Sequence, residues 1–132
     1  MKSRGELIQY RVARAKESLA ATKDLFANGY YNDAASRMYY ASFYILLAYI
    51  CAKQLKAETH KRVQIVFHEL IKTGLIDEKF SKLYSKLFNR RFESIHSEFV
   101  NYAIDDVKPL ISEVEQFIIT VEKLIISTIT NA

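Results

Sequence analysis

The sequence predicts an all-α protein, an antiparallel up-and-down bundle of four to five helices. Half of the residues are apolar, while among 132 residues only one is proline and three are glycine. The apolar residues also return at alternating intervals of three and four along most of the chain, the period of amphipathic helices. So few turn formers cannot supply the many reversals of an all-β fold, and so much apolar side chain argues against disorder. A chain of this length buries about two thirds of its unfolded surface. Residues 1–132 are therefore expected to form one domain around one core, without disulfide or metal staples.

The elements follow in order. Ile8, Val12, Ala15, Leu19, Thr22 and Phe26 form one stripe, and Asn28-Gly29 offers a left-handed closing residue, so the first helix should run from about Gly5 to Ala27. Asn32 or Asp33 can cap a second helix, which meets no Gly or Pro from Ala34 to Leu55 and is apolar on nearly every face. That helix should be the central, most buried one, with its tyrosines as large core or interface side chains whose hydroxyls reach the edge. Arg37 is a lone charge near its start, and the plain expectation is an ion pair with a carboxylate from another helix.

Thr59 can cap a third helix with the stripe Val63, Val66, Phe67, Leu70 and Ile71, ended by Thr73-Gly74. His60, in its first turn, is expected to pack or hydrogen-bond at the helix start. Asp77 caps a fourth helix that buries Phe80, Leu83, Tyr84, Leu87 and Phe88, while Lys79, Lys82, Lys86 and Arg90 face elsewhere. Its rhythm continues through Phe92, Ile95, Phe99 and Tyr102, so periodicity does not say where it stops. Asp105-Asp106 opens a last helix with Pro109 in its first turn. Val107, Leu110, Val114, Phe117, Val121 and Leu124 line its core face, and Ile111, Ile118 and Ile125 on the flank could serve a dimer.

The formal net charge is +4, compatible with a nucleic-acid or other anionic partner. Cys51 is the sole cysteine, so no intrachain disulfide can form, and a reducing compartment fits. The polar N-terminus has no signal-peptide core, and the stretch from Met38 to Ala52 is too short to span a bilayer. A cytoplasmic protein without a membrane partner is expected.

The segment with chemical potential is Asn89-Arg90-Arg91-Phe92-Glu93-Ser94-Ile95-His96. Arg91 is a permanent cation with a planar fork of donors suited to phosphate, and His96 is the side-chain type that titrates nearest neutrality. Together they suggest work on a phosphodiester; the plainer reading is an exposed basic helix face. Five positions along a straight helix turn through about 500°, leaving positions 91 and 96 about 140° apart. Either the helix breaks between them, or a site is assembled from two chains. Other chemistry is poorly supplied. His68-Glu69 begins a zinc-protease pattern, but Lys72 stands where the second ligand belongs, and three scattered histidines offer no metal-ligand spacing. No glycine-rich phosphate loop is present, so no cofactor is expected.

With the helices placed, the chain resembles the HEPN domains over nearly its whole length. The resemblance lies in Arg37-Met38-Tyr39-Tyr40-Ala41-Ser42-Phe43, in Thr59-His60-Lys61-Arg62-Val63 leading to Phe67, and in Lys72-Thr73-Gly74-Leu75-Ile76-Asp77. It is similar to the subgroup in which an Arg-x-Tyr-Tyr-Ala helix precedes a helix opening with histidine. Many ribonucleases of that family carry Arg, four to six residues, then His, as Arg91 and His96 do with four between. The resemblance implies a metal-independent endoribonuclease, often a toxin, acting as a homodimer with the motifs of both chains facing one cleft. His96 would be general base or acid, Arg91 would stabilise charge on the phosphate, and Arg90 with Lys86 would hold the RNA backbone. The partner implied is a nucleotidyltransferase-like antitoxin. The rival from another class is a non-catalytic nucleotide-binding or accessory module that helps a separate nucleotidyltransferase.

Overall fold

Nearly every break the sequence offers becomes a helix end. The computed structural model describes residues 3–96 and 101–131, with side chains for all of these except 93–96. Among them are five helices: α1 (Arg4–Ala27), α2 (Tyr31–Ala52), α3 (His60–Lys72), α4 (Lys79–His96) and α5 (Ile104–Thr130). No strand occurs among the described residues.

The Ser3 hydroxyl starts α1 by accepting the Glu6 N–H at 3.1 Å. Gly29 closes it at φ +82°, which lets the Gly29 and Tyr30 N–H groups reach the carbonyls of Phe26 and Leu25 at 3.1 and 2.9 Å. α2 departs from expectation at both ends. Neither Asn32 nor Asp33 caps it, because the helix already begins at Tyr31, whose ring packs on Phe26 at 5.4 Å. It stops at Ala52 rather than Leu55: Gln54 takes φ +60°, and Gln54 and Leu55 donate to Cys51 and Ile50, both at 3.0 Å. This is the same closure that Gly29 makes, formed by a residue whose Cβ disfavours it. Without a glycine, the stop leaves no mark in the sequence.

Thr59 caps α3 as expected, accepting the Arg62 N–H at 3.1 Å, and Gly74 closes it at φ +82°. Asp77 accepts the Lys79 N–H at 2.9 Å at the start of α4. Ala103 precedes α5, and Asp106 reaches back to accept its N–H at 2.8 Å. Pro109 lies in the second turn of α5 rather than the first, since the helix begins at Ile104. The Asp105 carbonyl therefore loses its helical donor, and the exposure of that residue lets water take the place.

α2 is central and packs against the other four helices. Met38, Tyr39, Ile45, Leu46, Tyr49 and Ile50 are among the largest fully buried side chains, joined by Phe67 of α3, Tyr84 and Leu87 of α4 and Phe117 of α5. Burying side chains of this kind stabilises the fold by roughly 1.5–3 kcal/mol each. Two exposed ion pairs, Lys16–Glu122 at 2.8 Å and Lys23–Glu115 at 2.7 Å, show α1 and α5 running antiparallel. Such pairs contribute about 0–1 kcal/mol, so they mark register more than they hold it. Ile118 and Ile125 belong to this chain's own core, and Ile111 is half-buried against it. The flank expected to serve a dimer is thus largely consumed within the chain. The large apolar side chains that α5 exposes are Ile104, Ile119, Ile126 and Ile129. Among the described residues no helix is long and apolar enough to cross a membrane.

Candidate functional site

α4 runs without interruption through His96, which answers one of the two alternatives posed by the sequence. The helix does not break after Arg91, so positions 91 and 96 stay about 140° apart around one axis. A break in the helix therefore does not bring the two positions onto one face. The side chain of His96 lies outside the described residues; its backbone sits in the last turn of α4.

Arg91 points at α2. Its Nε–H and Nη2–H both donate to the Tyr40 hydroxyl, at 3.2 and 3.0 Å. The guanidinium carbon lies 5.2 Å from the Tyr40 ring centroid and 5.4 Å from that of Tyr39, within cation–π range. Both tyrosines are available because α2 carries them side by side, Tyr39 into the core and Tyr40 half-buried at its edge. The Tyr40 oxygen accepts both bonds and so keeps its own proton to donate.

Behind this pair runs a chain of polar contacts inside the core. Tyr84 donates to the Tyr39 oxygen across a long 3.4 Å, and the Tyr39 hydroxyl lies 2.7 Å from His60 Nδ1. Burial raises the pKa of both phenols, so each keeps its proton, and Tyr39, accepting from Tyr84, has a proton to give His60. Burial, and then the nearby Arg91 charge, lower the pKa of His60. This favours a neutral imidazole that accepts at Nδ1 and carries its proton on Nε2. The ring also stacks on Phe43 at 4.4 Å. His60 therefore does what its place at a helix start suggested, packing and hydrogen bonding. The hydroxyl of Tyr39, expected with those of the other α2 tyrosines to reach the edge, instead finds partners inside.

Outward from Tyr40, α2 and Leu25 of α1 line an open cleft of about 620 Å³ with Asp33, Ser36, Arg37, Tyr40 and Tyr44. Arg37 is exposed here, and among the described residues it makes no ion pair, so the expected partner carboxylate is not found there. Tyr44 carries the Arg14 guanidinium over its ring at 5.3 Å, and Arg14 also holds Glu17 at 2.8 Å.

The two residues expected to hold RNA lie elsewhere on α4. Arg90 donates to the Asp106 carbonyl and lies over the Tyr102 ring at 5.3 Å, tying the end of α4 to the start of α5. Tyr102 returns a bond to the Arg90 carbonyl at 3.2 Å, and its N–H donates to Asn32 at 2.8 Å. Lys86 is exposed in a separate open groove of about 400 Å³ with Lys79, Lys82, Asp77, Glu78 and Glu113. The structure thus brings Arg91 together with Tyr39, Tyr40 and His60, and leaves Lys86 apart from them. Tyr40 was missed as a site residue because its partner lies 51 positions away. The only local signal was a tyrosine pair next to an arginine on an otherwise apolar helix. Among the described residues no three His, Cys, Asp or Glu side chains gather to hold a metal ion.

An antiparallel five-helix bundle around a buried aromatic second helix, with an arginine–tyrosine seam at one side, defines a small helical-domain protein. The HEPN domain profile matches residues 8–124, and the chain belongs to the HEPN domain family. It is similar to a Thermotoga maritima protein named "UPF0332 protein", 34% identical over 95% of this chain and 96% of the relative. Two Methanocaldococcus jannaschii proteins are also similar. "Putative toxin MJ0605" is 31% identical over 89% of this chain and 88% of its own. "Putative toxin MJ0142" is 26% identical over 88% and 80%.

Proposed function

We propose that residues 1–132 act as one HEPN domain of the Arg-x-Tyr-Tyr-Ala subgroup, a metal-independent endoribonuclease working in the cytoplasm as a homodimer. In this reading it is the toxin of a toxin–antitoxin pair, restrained by a nucleotidyltransferase-like antitoxin. The observation that supports the reading is Arg91, held by the Tyr40 hydroxyl at the edge of α2, on a helix whose continuity leaves position 96 about 140° away around the axis. A dimer removes the difficulty by setting Arg91 of one chain against His96 of the other. The names of the two archaeal relatives support the toxin role.

In the reaction, His96 takes the proton of a ribose 2′-hydroxyl or gives one to the leaving oxygen, worth roughly 100- to 10,000-fold. The 2′-oxygen attacks phosphorus, the bond to the 5′-oxygen breaks, and a cyclic phosphate and a free 5′-hydroxyl result. Arg91 stabilises the charge that develops on the phosphate, oriented by its two bonds to Tyr40. Lys86 and the remaining N–H groups of Arg90 attract the backbone.

The test is cleavage of total RNA by purified protein in a chelator, wild type beside His96→Ala and Arg91→Ala. Degradation by the wild type alone, with cyclic-phosphate ends, supports the reading; intact RNA with all three sinks it. One observation favours a second reading, a non-catalytic nucleotide-binding module. The cleft beside Tyr40 and Tyr44 has the size of a ligand site and does not need His96. That reading takes over if the wild type binds RNA or nucleotide but cleaves nothing.

A further inference from the structure

We infer that His60 is a positioning residue for Arg91: as a neutral ring it sets the direction of the buried hydroxyl chain beneath Arg91, and as a cation it unseats Arg91 from Tyr40. The inference deepens the proposed ribonuclease by naming a pH control of its site, and rests on that reading only for the consequence that cleavage weakens in acid. The link is short. The Tyr39 hydroxyl lies 2.7 Å from His60 Nδ1, and the Tyr39 ring carries the Arg91 guanidinium carbon at 5.4 Å. The His60 ring, stacked on Phe43, also meets Tyr40 edge to face at 6.2 Å.

Among the described residues α3 packs on α2 and α4 alone, so few groups face His60. From α2 they are Tyr39 and Tyr40, and from α4 Arg91, with Tyr84 one hydroxyl farther behind Tyr39. Along the chain Glu58, Lys61 and Arg62 are exposed. His60 is the first residue of α3, whose first turn holds no carboxylate, and a helix start disfavours a cation. While the imidazole is neutral, Nδ1 accepts, so the protons point from Tyr84 to Tyr39 and from Tyr39 to His60. A second ring proton goes on Nδ1, and two donors then face each other across 2.7 Å. Tyr39 must turn to accept from His60 and give its own proton to the Tyr84 oxygen. The Tyr84 proton then loses the acceptor it had, inside a core where both tyrosines are fully buried. The imidazolium also sets a positive charge against the same Tyr39 ring that carries Arg91. Seating Arg91 and protonating His60 therefore oppose each other, and by linkage each weakens the other by the same factor. Burial, and then the Arg91 charge, lower the pKa of His60. The seat is thus complete above the ordinary imidazole value of about 6.5 and is lost as pH falls through the lowered folded value.

The experiment titrates the wild-type chain by NMR from about pH 8 to about pH 5, following the His60 ring protons beside the Nε–H signals of Arg91 and Arg90. Arg91 is expected to move with the midpoint of His60. Arg90, held by the Asp106 carbonyl and the Tyr102 ring, is the control and should stay. Arg91→Met should tighten proton binding by His60 about fivefold, the lower end of coupling between sites. His60→Asn keeps an acceptor in the place of Nδ1 and takes no proton, so Arg91 should stay still across the range. Circular dichroism verifies that this variant keeps its helices; if it does not, the wild type and Arg91→Met decide. An Arg91 signal that ignores the His60 titration, or moves no more than Arg90, overturns the inference, as does an unchanged His60 midpoint in Arg91→Met. Cleavage is scored separately. Where the wild type cuts RNA, its acid-side loss of kcat/KM should be smaller in His60→Asn, and equal losses overturn the role in the reaction. A wild type that shows the coupling but cuts nothing at any pH removes the ribonuclease and leaves the positioning of Arg91. RNA cut by a chain without the coupling does the reverse.

Discussion

Replacing Tyr40 by Phe removes one oxygen and leaves the ring, so it isolates the hydrogen bonds that hold Arg91. Those bonds are 3.2 and 3.0 Å long, from a charged donor to a half-buried acceptor. Bonds to charged groups contribute about 1.5–3 kcal/mol when buried, and partial exposure reduces this, so Tyr40→Phe should cost about 1–2 kcal/mol. The guanidinium keeps its place over both rings, a contact worth about 0.5–1 kcal/mol that only an Arg91 substitution removes. Arg91→Met should therefore cost about 2–3 kcal/mol, and the double variant about the same. The assay is urea unfolding followed by far-ultraviolet circular dichroism, at one fixed chain concentration because a dimer's stability depends on it. A coupling of about 1–2 kcal/mol between the two positions is expected. Costs that add to within about 0.5 kcal/mol would show that Tyr40 does not hold Arg91, and the positioning role given to it would fall.

Stability should also depend on pH through His60. Its folded pKa is lowered, first by burial and then by Arg91, so the folded chain binds this proton less readily than the unfolded one. The contribution is fully present above the unfolded value of about 6.5 and is lost as pH falls below it. Urea midpoints should drop between pH 7.5 and 5.5 in the wild type and drop less in His60→Gln; equal slopes would contradict the assignment. Gln54→Gly should raise stability by up to about 1 kcal/mol, since glycine accepts the left-handed conformation that closes α2. A lower melting temperature would refute that account of the helix end. Asn32→Ala should cost about 1 kcal/mol by orphaning the Tyr102 N–H, and amide exchange at Tyr102 should quicken; unchanged exchange would mean that the bond is not made in solution.

What could be read from the sequence was what local chemistry writes. The stripes of α1, α3 and α5, the Thr59 cap and the Gly29 and Gly74 closures depend on neighbours within a few positions, and all appear as expected. The end of α2 did not, because a glutamine in the left-handed region looks like any other glutamine. Asn32 read as a cap and proved to be a long-range acceptor for Tyr102, 70 positions on. The same limit governed the site. Arg91 was visible as a phosphate-suited cation, yet its partner Tyr40 comes from another helix, and the contact between Tyr39 and His60 links positions 21 apart. Helical geometry did frame one question about tertiary structure: a break in α4 was one of two ways to bring positions 91 and 96 together, and the backbone of α4 runs unbroken to 96.

That continuity makes mixing the most direct test of the central claim, a ribonuclease site built from two chains. Arg91→Ala and His96→Ala proteins are prepared separately, combined in equal amounts under conditions where subunits exchange, and assayed on RNA in a chelator. If Arg91 of one chain works with His96 of the other, neither variant cleaves alone. In the mixture half of the dimers are mixed, each with one of its two Arg91–His96 pairs intact, so about a quarter of the wild-type rate should return. A mixture that exchanges subunits and stays inactive, beside a wild type that cleaves, would contradict assembly across chains.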